Sequence, residues 1–414
     1  MPVTVAGAAS GDQRGLAAAA VAGPPSAEGM SVERVAPLRL EAHWDGRRVA
    51  AMKVANRRPL AARALVGRSV TEVLERVPTL FGVCRRAQGL AATAACAAAA
   101  PGLTRLQDWA EERAIAAETA QEHLWRLMLD WPDLFGHATR RDRFANLYRR
   151  LDQLGDARAA FDLGGELLDL VAIELLGGFF RAIREPQGLA EFVERARSGG
   201  SIGETLGDLI EMGSSTPVEE ATPLLTARSA AAWARELAGV PPEAFCRTPT
   251  LGGRPQETGV LARHAESLLV RMLIGHGHRI AARLFARVID LADCASRLRH
   301  PLASDMSMLI DAAAAGDGVG IACVETARGL LIHAVRIDGE RIADYAIVAP
   351  TEWNFHPDGV FAREAAGWQA PSREAALLRL RALALSLDPC VAFDVVLRDA
   401  AADDDAHSAG SPTA

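Results

Sequence analysis

The chain has 414 residues, half of them hydrophobic, which is enough to bury the core of one large domain or two ordinary ones. Its net charge of −7 argues against an electrostatic nucleic-acid partner, and the single lysine, Lys53, marks a compositional bias toward arginine. Runs such as 140–143 therefore read as solvated helix faces.

No apolar stretch reaches the roughly 20 residues that a spanning helix needs, so no membrane insertion and a cytoplasmic location are expected. The six cysteines (Cys84, Cys96, Cys246, Cys294, Cys323 and Cys390) include no CxxC pair. That spacing excludes a zinc ribbon or a thioredoxin-type motif and points to reduced thiols.

In chain order, residues 1–29 read as disordered or untranslated, because Pro24-Pro25 follows an alanine run with no basic start and patterned sequence begins at Met30. Residues 34–54 alternate around Asp45-Gly46 and predict a two-stranded hairpin. Helical spacing begins near Leu60, with Pro78 ending or kinking that helix. A second helix starts near Cys84 and stops at Pro101-Gly102. From 104 to 300 the pattern is almost wholly helical, with Thr104 a plausible N-cap. Residues 318–355 alternate at period two around a second Asp-Gly turn and predict two or three antiparallel strands. A helix over 373–386 follows, and the acidic tail 399–414 reads as disordered. The fold class is α+β: a mostly helical body, one domain over 30–398, with small antiparallel strands near both ends.

Two cysteines stand out. Cys84 falls at a helix start, where free amides and the macrodipole favour a thiolate. Asp388-Pro389-Cys390 reads the same way, with Asp388 as N-cap, Pro389 in the first helical position and Cys390 in the first turn. If they converge they make a soft metal site; if not, they are two inert buried thiols. The His276–His278 pair has no carboxylate or cysteine beside it and makes a weak metal site.

Four segments, in order, resemble the large subunit of nickel–iron hydrogenases. Residues 38–49 (LRLEAHWDGRRV) look like Arg-x-Glu-Gly-His, and 80–92 (LFGVCRRAQGLAA) like Arg-x-Cys-Gly-x-Cys-x-x-x-His. Residues 325–354 look like Glu-Ala-Pro-Arg-Gly-x-x-x-His, a hairpin, then Pro-Thr-x-Trp-Asn. Residues 388–396 (DPCVAFDVV) look like Asp-Pro-Cys-x-x-Cys-x-x-His. The departures are specific. Phe81 and Phe393 stand where each thiol pair has its other member, Gln88 and Val396 replace the motif histidines, and Ala327 replaces a proline. Two thiolates and two phenyl rings cannot build a thiolate-rich nickel site.

This pattern is similar to that of HupK/HoxV-type hydrogenase accessory proteins, degenerate relatives of the large subunit. The resemblance implies no enzymatic activity and no nickel. It implies a scaffold that holds or relays an Fe(CN)2(CO) unit, with HypC-like maturation chaperones and the hydrogenase large subunit as partners. Cys84 and Cys390 are the implied metal ligands. Arg328, Pro350, Thr351 and Glu41 are the implied residues around the bound unit, His43 and His333 support them by hydrogen bonds, and Phe393 fills the space of the thiol lost beside Cys390. Two other functions fit the same motifs: a metal-free protein that mimics the large-subunit surface to bind chaperones, and a redox enzyme with a reduced metal site.

Overall fold

The computed structural model describes residues 38–100, 108–179, 184–214, 221–300 and 307–400. The readings of 1–29, of Thr104 and of the tail beyond Ala400 lie outside them. All described residues fall within one compact unit, Pro37–Ala414.

The first hairpin joins β1 (Leu38–Trp44) to β2 (Val49–Asn56). Asp45 shapes its turn, accepting from the amides of Arg47 and Arg48 at 2.9 and 2.8 Å, and Gly46 takes a φ of +93°. Alternate residues of β1, Leu38, Leu40, Ala42 and Trp44, are buried, so one face of this strand joins the core. Its other edge pairs with β7 (Phe393–Asp399) in parallel, giving the order β2-β1-β7. The β1–β2 pairing is antiparallel as expected, and β7 adds a parallel strand to it; one expectation is corrected, since Asp399 closes a strand rather than opening a tail.

The second sheet has four consecutive antiparallel strands, β3 (Ile310–Ala314), β4 (Val319–Thr326), β5 (Gly329–Asp338) and β6 (Arg341–Val348). The stretch 318–355, expected to hold two or three strands, holds three, β4 to β6; β3 lies before it and escapes because its sequence, Ile-Asp-Ala-Ala-Ala, carries no β-branched pattern after its first residue. Both faces of β4 and β5 are covered. Ala322, Val324, Leu331 and Val335 belong to one core, while Ile321, Cys323, Leu330 and Ile332 belong to another that holds Trp233 and Trp353. Period two here separates two buried layers rather than core from solvent.

The first layer is built by α1 (Val70–Leu80) and α2 (Arg85–Ala99). A capping box between Ser69 and Glu72 starts α1, and Pro78 lies in its last turn. The alanine-rich face of α2 allows close approach to β4: a Cβ on Gly320 would lie 2.0 Å from the Ala95 carbonyl. The helical body begins with α3 (Trp109–Trp125), capped by Asp108, and passes through a wide turn, Arg126–Asp130, into Trp131–Leu134. The long helix Arg279–Arg299 runs through this body, and Ala157–Asp169 packs on it.

Two adjacent glycines in Ala157–Asp169 give opposite expectations. A Cβ on Gly164 would lie 2.5 Å from the Ala295 carbonyl, whereas one on Gly165 would meet nothing within 4 Å. Gly164→Ala should destabilise the protein by about 1–3 kcal/mol through overpacking against a backbone. Gly165→Ala should leave stability unchanged or raise it by up to ~1 kcal/mol. Urea unfolding of the two variants measures this, and equal midpoints would contradict the helix pairing.

Candidate functional site

Cys84 and Cys390 line one cavity of about 370 Å³, with Arg58, Phe81, Gln88, Arg328 and Pro350 among its walls. Each thiol has its own guanidinium. Arg328 Nη1 donates to Cys84 Sγ at 3.4 Å, and Arg58 Nη1 donates to Cys390 Sγ at 3.0 Å. The Thr351 hydroxyl donates to Cys390 Sγ at 3.0 Å while accepting from the Cys390 amide at 3.1 Å. The cavity thus brings together Cys84, Cys390, Arg328 and Pro350, while Thr351 is buried outside its lining and bonded to Cys390.

Cys84 precedes α2 in the left-handed region, with φ 59°, a conformation costly for a residue with a Cβ. The helix amides behind it are not free. The Glu118 carboxylate on α3 accepts from the Arg86 and Ala87 amides at 2.8 and 2.9 Å. Burial pushes the Cys84 thiol well above its ordinary pKa; Arg328 pulls it down, and Glu118 and Glu122 push it further up. The expected thiolate activation by the helix start is therefore corrected, because a buried carboxylate already occupies the amides that would supply it.

The Asp388-Pro389-Cys390 reading is corrected too. Asp388 is the left-handed C-cap of Arg373–Leu387, with φ 51°, and Cys390 lies in the loop leading to β7. Its carboxylate faces arginines instead of amides. Oδ1 accepts from Arg126 Nε at 2.8 Å, Oδ2 accepts from Arg287 Nη1 at 2.9 Å, and Arg328 Nε lies 3.3 Å from Oδ1. Burial would raise the Asp388 pKa, but Arg126, Arg328 and Arg287 outweigh it and hold the carboxyl well below the usual range.

Arg328 is fixed by its turn as well as by charge. Thr326 Oγ1 accepts from the Arg328 amide at 3.2 Å, and Arg328 Nη2 donates to Glu122 at 2.8 Å. Thr258-Gly259 presses on this turn: Thr258 Oγ1 accepts from the Leu330 amide at 2.9 Å, and a Cβ on Gly329 would lie 2.5 Å from that oxygen. Behind it the charges continue. Arg287 reaches His123 Nδ1 at 3.2 Å, and His123 Nε2 meets Asp290 at 2.6 Å. An arginine can only donate, so Nδ1 accepts and the proton sits on Nε2, a neutral imidazole. Burial lowers the His123 pKa to about 4 and that of His333 to about 3. His333 lies between Gln88 and Tyr345, each at 2.8 Å, so Gln88 supports the sheet as well as lining the cavity.

Three expected residues are placed elsewhere. Glu41 pairs with Arg39 at 3.2 Å and Arg398 at 2.7 Å on the first sheet and does not line the cavity. His43 is on the same strand, and Phe393 lines a different cavity with Arg126, Leu134 and Leu385. Phe393 does not fill a gap beside Cys390, because β7 begins there and its first side chain packs on the helical core.

Sequence reasoning missed Arg58, Glu118, Glu122, Arg126 and Arg287. A signal existed for four of them. Glu118, Glu122 and Arg126 recur every four residues, as do Arg279, Arg283 and Arg287, placing each set on one face of a helix that is otherwise largely apolar there.

Residues 279–395 match the nickel-dependent hydrogenase family model, a span that includes Arg328, Thr351 and Cys390 but not Cys84. The hydrogenase expression/formation protein HupK of Azotobacter vinelandii is 31% identical over 352 residues, 81% of this chain and 91% of that protein. The chain belongs to the HupK/HupV/HoxV family of hydrogenase expression/formation proteins. HoxV of Cupriavidus necator, 29% identical, covers 84% of this family member and is itself covered over 94% of its length. The reduced Ni-Fe-Se hydrogenase of Desulfomicrobium baculatum aligns with 84% of the chain and 95% of its own, with a TM-score of 0.54 at 15% identity. The fold is that of the hydrogenase large subunit.

Removing the carboxylate should be costly. Asp388→Asn leaves the buried Arg287 without its carboxylate, and Arg126 and Arg328 with only Asp130 and Glu122, and should destabilise the protein by about 3–5 kcal/mol in denaturant unfolding. Acid should act earlier than that carboxyl. His123 and His333 have folded pKa values below the unfolded value of roughly 6.5, so the unfolded chain takes up protons first. Their contribution is complete above that value and is lost as pH falls toward 4 and 3 respectively. Asp388, also depressed, adds its loss only below its unfolded pKa of roughly 3.9. Thermal midpoints should fall between pH 6.5 and 4; a flat profile there would contradict the neutral, buried imidazoles.

Proposed function

We propose that this protein is a non-catalytic accessory scaffold in nickel–iron hydrogenase maturation, which holds an Fe(CN)2(CO) unit between Cys84 and Cys390 and relays it to the hydrogenase large subunit. The observation that carries this reading is the donor set of the cavity: two thiols, each bonded by a guanidinium, facing one space. Among the described residues no group of three or more His, Cys, Asp or Glu side chains could hold a metal. A metal held here has to bring most of its ligands with it.

The cargo suits the walls. Cyanide is an anionic acceptor, and Arg328 presents a planar, permanently charged donor; the Thr351 hydroxyl is a neutral donor near Cys390. Soft thiolates suit low-spin iron. Two thiols are fewer than a resident bimetallic centre uses, which favours release over retention. On this reading the protein acts in the cytoplasm, receives its cargo from HypC-like chaperones and gives it to the large subunit, whose fold it shares. No helix among the described residues is long and apolar enough to cross a membrane.

The test is an infrared spectrum of protein purified from cells that make the hydrogenase-maturation machinery. Cyanide and carbon monoxide stretches are expected where protein does not absorb. Cys84→Ala should abolish them while the fold survives, and Arg328→Lys should shift the cyanide bands or lower their intensity several-fold. Absence of bands in the wild type would instead support a metal-free protein that binds the chaperones. Hydrogen uptake by the loaded protein would overturn the non-catalytic reading.

A further inference from the structure

Arg58 has no counterpart in the motifs of the sequence, yet its guanidinium bonds Cys390 directly. Its amide donates to Asn56 Oδ1 at 3.1 Å, which fixes the backbone just beyond β2. Its side chain is 17% exposed and lies on the wall between two cavities. One is the thiol cavity; the other, of about 430 Å³, is bounded by Arg58, Phe81, Cys246, Tyr345 and Glu352.

Glu352 anchors Arg58 from that second side. Its Oε1 lies 3.6 Å from Arg58 Nε, and its Oε2 is buried without a hydrogen-bond partner. The guanidinium is thus held between a buried carboxyl and a sulfur, with Nη1 3.0 Å from Cys390 Sγ. Arg328 places a second permanent charge at Cys84. A bare divalent cation bonding to the sulfurs would have to displace both N–H···S contacts and lie a few ångströms from two guanidiniums in a partly desolvated space. The carboxylates paired with them, Glu352, Glu122 and Asp388, offset only part of the repulsion. A metal already carrying anionic ligands would not meet that barrier.

We propose that Arg58 is a selectivity residue: it closes the Cys390 thiol to bare thiophilic divalent cations and reserves the cavity for a metal that arrives with anionic ligands. The nature of the cargo rests on the function proposed above, whereas the exclusion of bare cations rests only on the two guanidinium–sulfur contacts. The two readings therefore fail separately.

The experiment uses the full chain purified from cells lacking the maturation machinery, with Co²⁺ as the probe and thiolate-to-cobalt charge-transfer absorption as the readout. Arg58→Gln should bind Co²⁺ at least tenfold more tightly than the wild type, and Cys390→Ser added to it should remove the gain. Arg58→Lys, which keeps the charge, should remain near the wild type. Equal affinity of wild type and Arg58→Gln, or a gain that survives Cys390→Ser, would overturn the proposal. A second arm needs no Arg58 variant. In the wild type, excess Co²⁺ should leave iodoacetamide labelling of Cys390 unchanged by mass spectrometry; protection of Cys390 would overturn the proposal equally.

Discussion

The organisation of this molecule depends on one carboxylate, that of Asp388, buried among Arg126, Arg287 and Arg328. A charge in a low-dielectric interior is tolerated only when it is paired and its hydrogen-bonding capacity is filled. Satisfying this one group forces a helix C-terminus, the wide turn after α3, the long helix Arg279–Arg299 and the β4–β5 turn to meet. The same long helix carries a second buried set, in which Arg279 and Arg283 pair with Glu257 and Glu364 at 2.5–2.9 Å. Pairs this deeply buried give little net stability but are costly to break, so they act chiefly on which packing is allowed.

The cavity inherits its geometry from that constraint. Cys390 follows Asp388 by two residues, so the carboxylate that anchors the loop also sets the height of the thiol. Arg328 bonds Cys84 with the same guanidinium that approaches Asp388 and pairs with Glu122. The Cys84 sulfur is therefore bonded within that network, whereas Cys390 is tied to it only through the chain from Asp388 and takes its own cation, Arg58. Asn354 ties the remaining loops, its Oδ1 accepting from the Thr258 amide and its Nδ2 donating to the Leu387 carbonyl.

Several local signals in the sequence pointed at the right residues for the wrong reason. Asp388 looks like an N-cap because aspartate before proline commonly is one, but the preceding helix ends there and the side chain turns inward to the arginines. Cys84 does sit at a helix start, yet Glu118, more than thirty residues away in sequence, takes the amides that would have activated it. Phe393 occupies a motif position near Cys390, yet as the first residue of β7 it lines a different cavity, beside Arg126 and Leu385. In each case a long-range partner outweighed a local preference.

What the sequence determined by itself was the kind of fold and the segments that matter: the Asp-Gly turns, the alanine-rich helix after Cys84, the alternation over β4–β6, and four motif segments whose order is that of a hydrogenase large subunit. These are legible because turn chemistry, periodicity and spacing are local properties of the chain. The tertiary structure alone decided that β7 lies parallel to β1, that Arg58 caps Cys390, that Glu41 stays on its sheet, and that Asp388 gathers three arginines. Those outcomes depend on which distant charges have to neutralise one another once water is excluded, and that condition exists only in the packed interior.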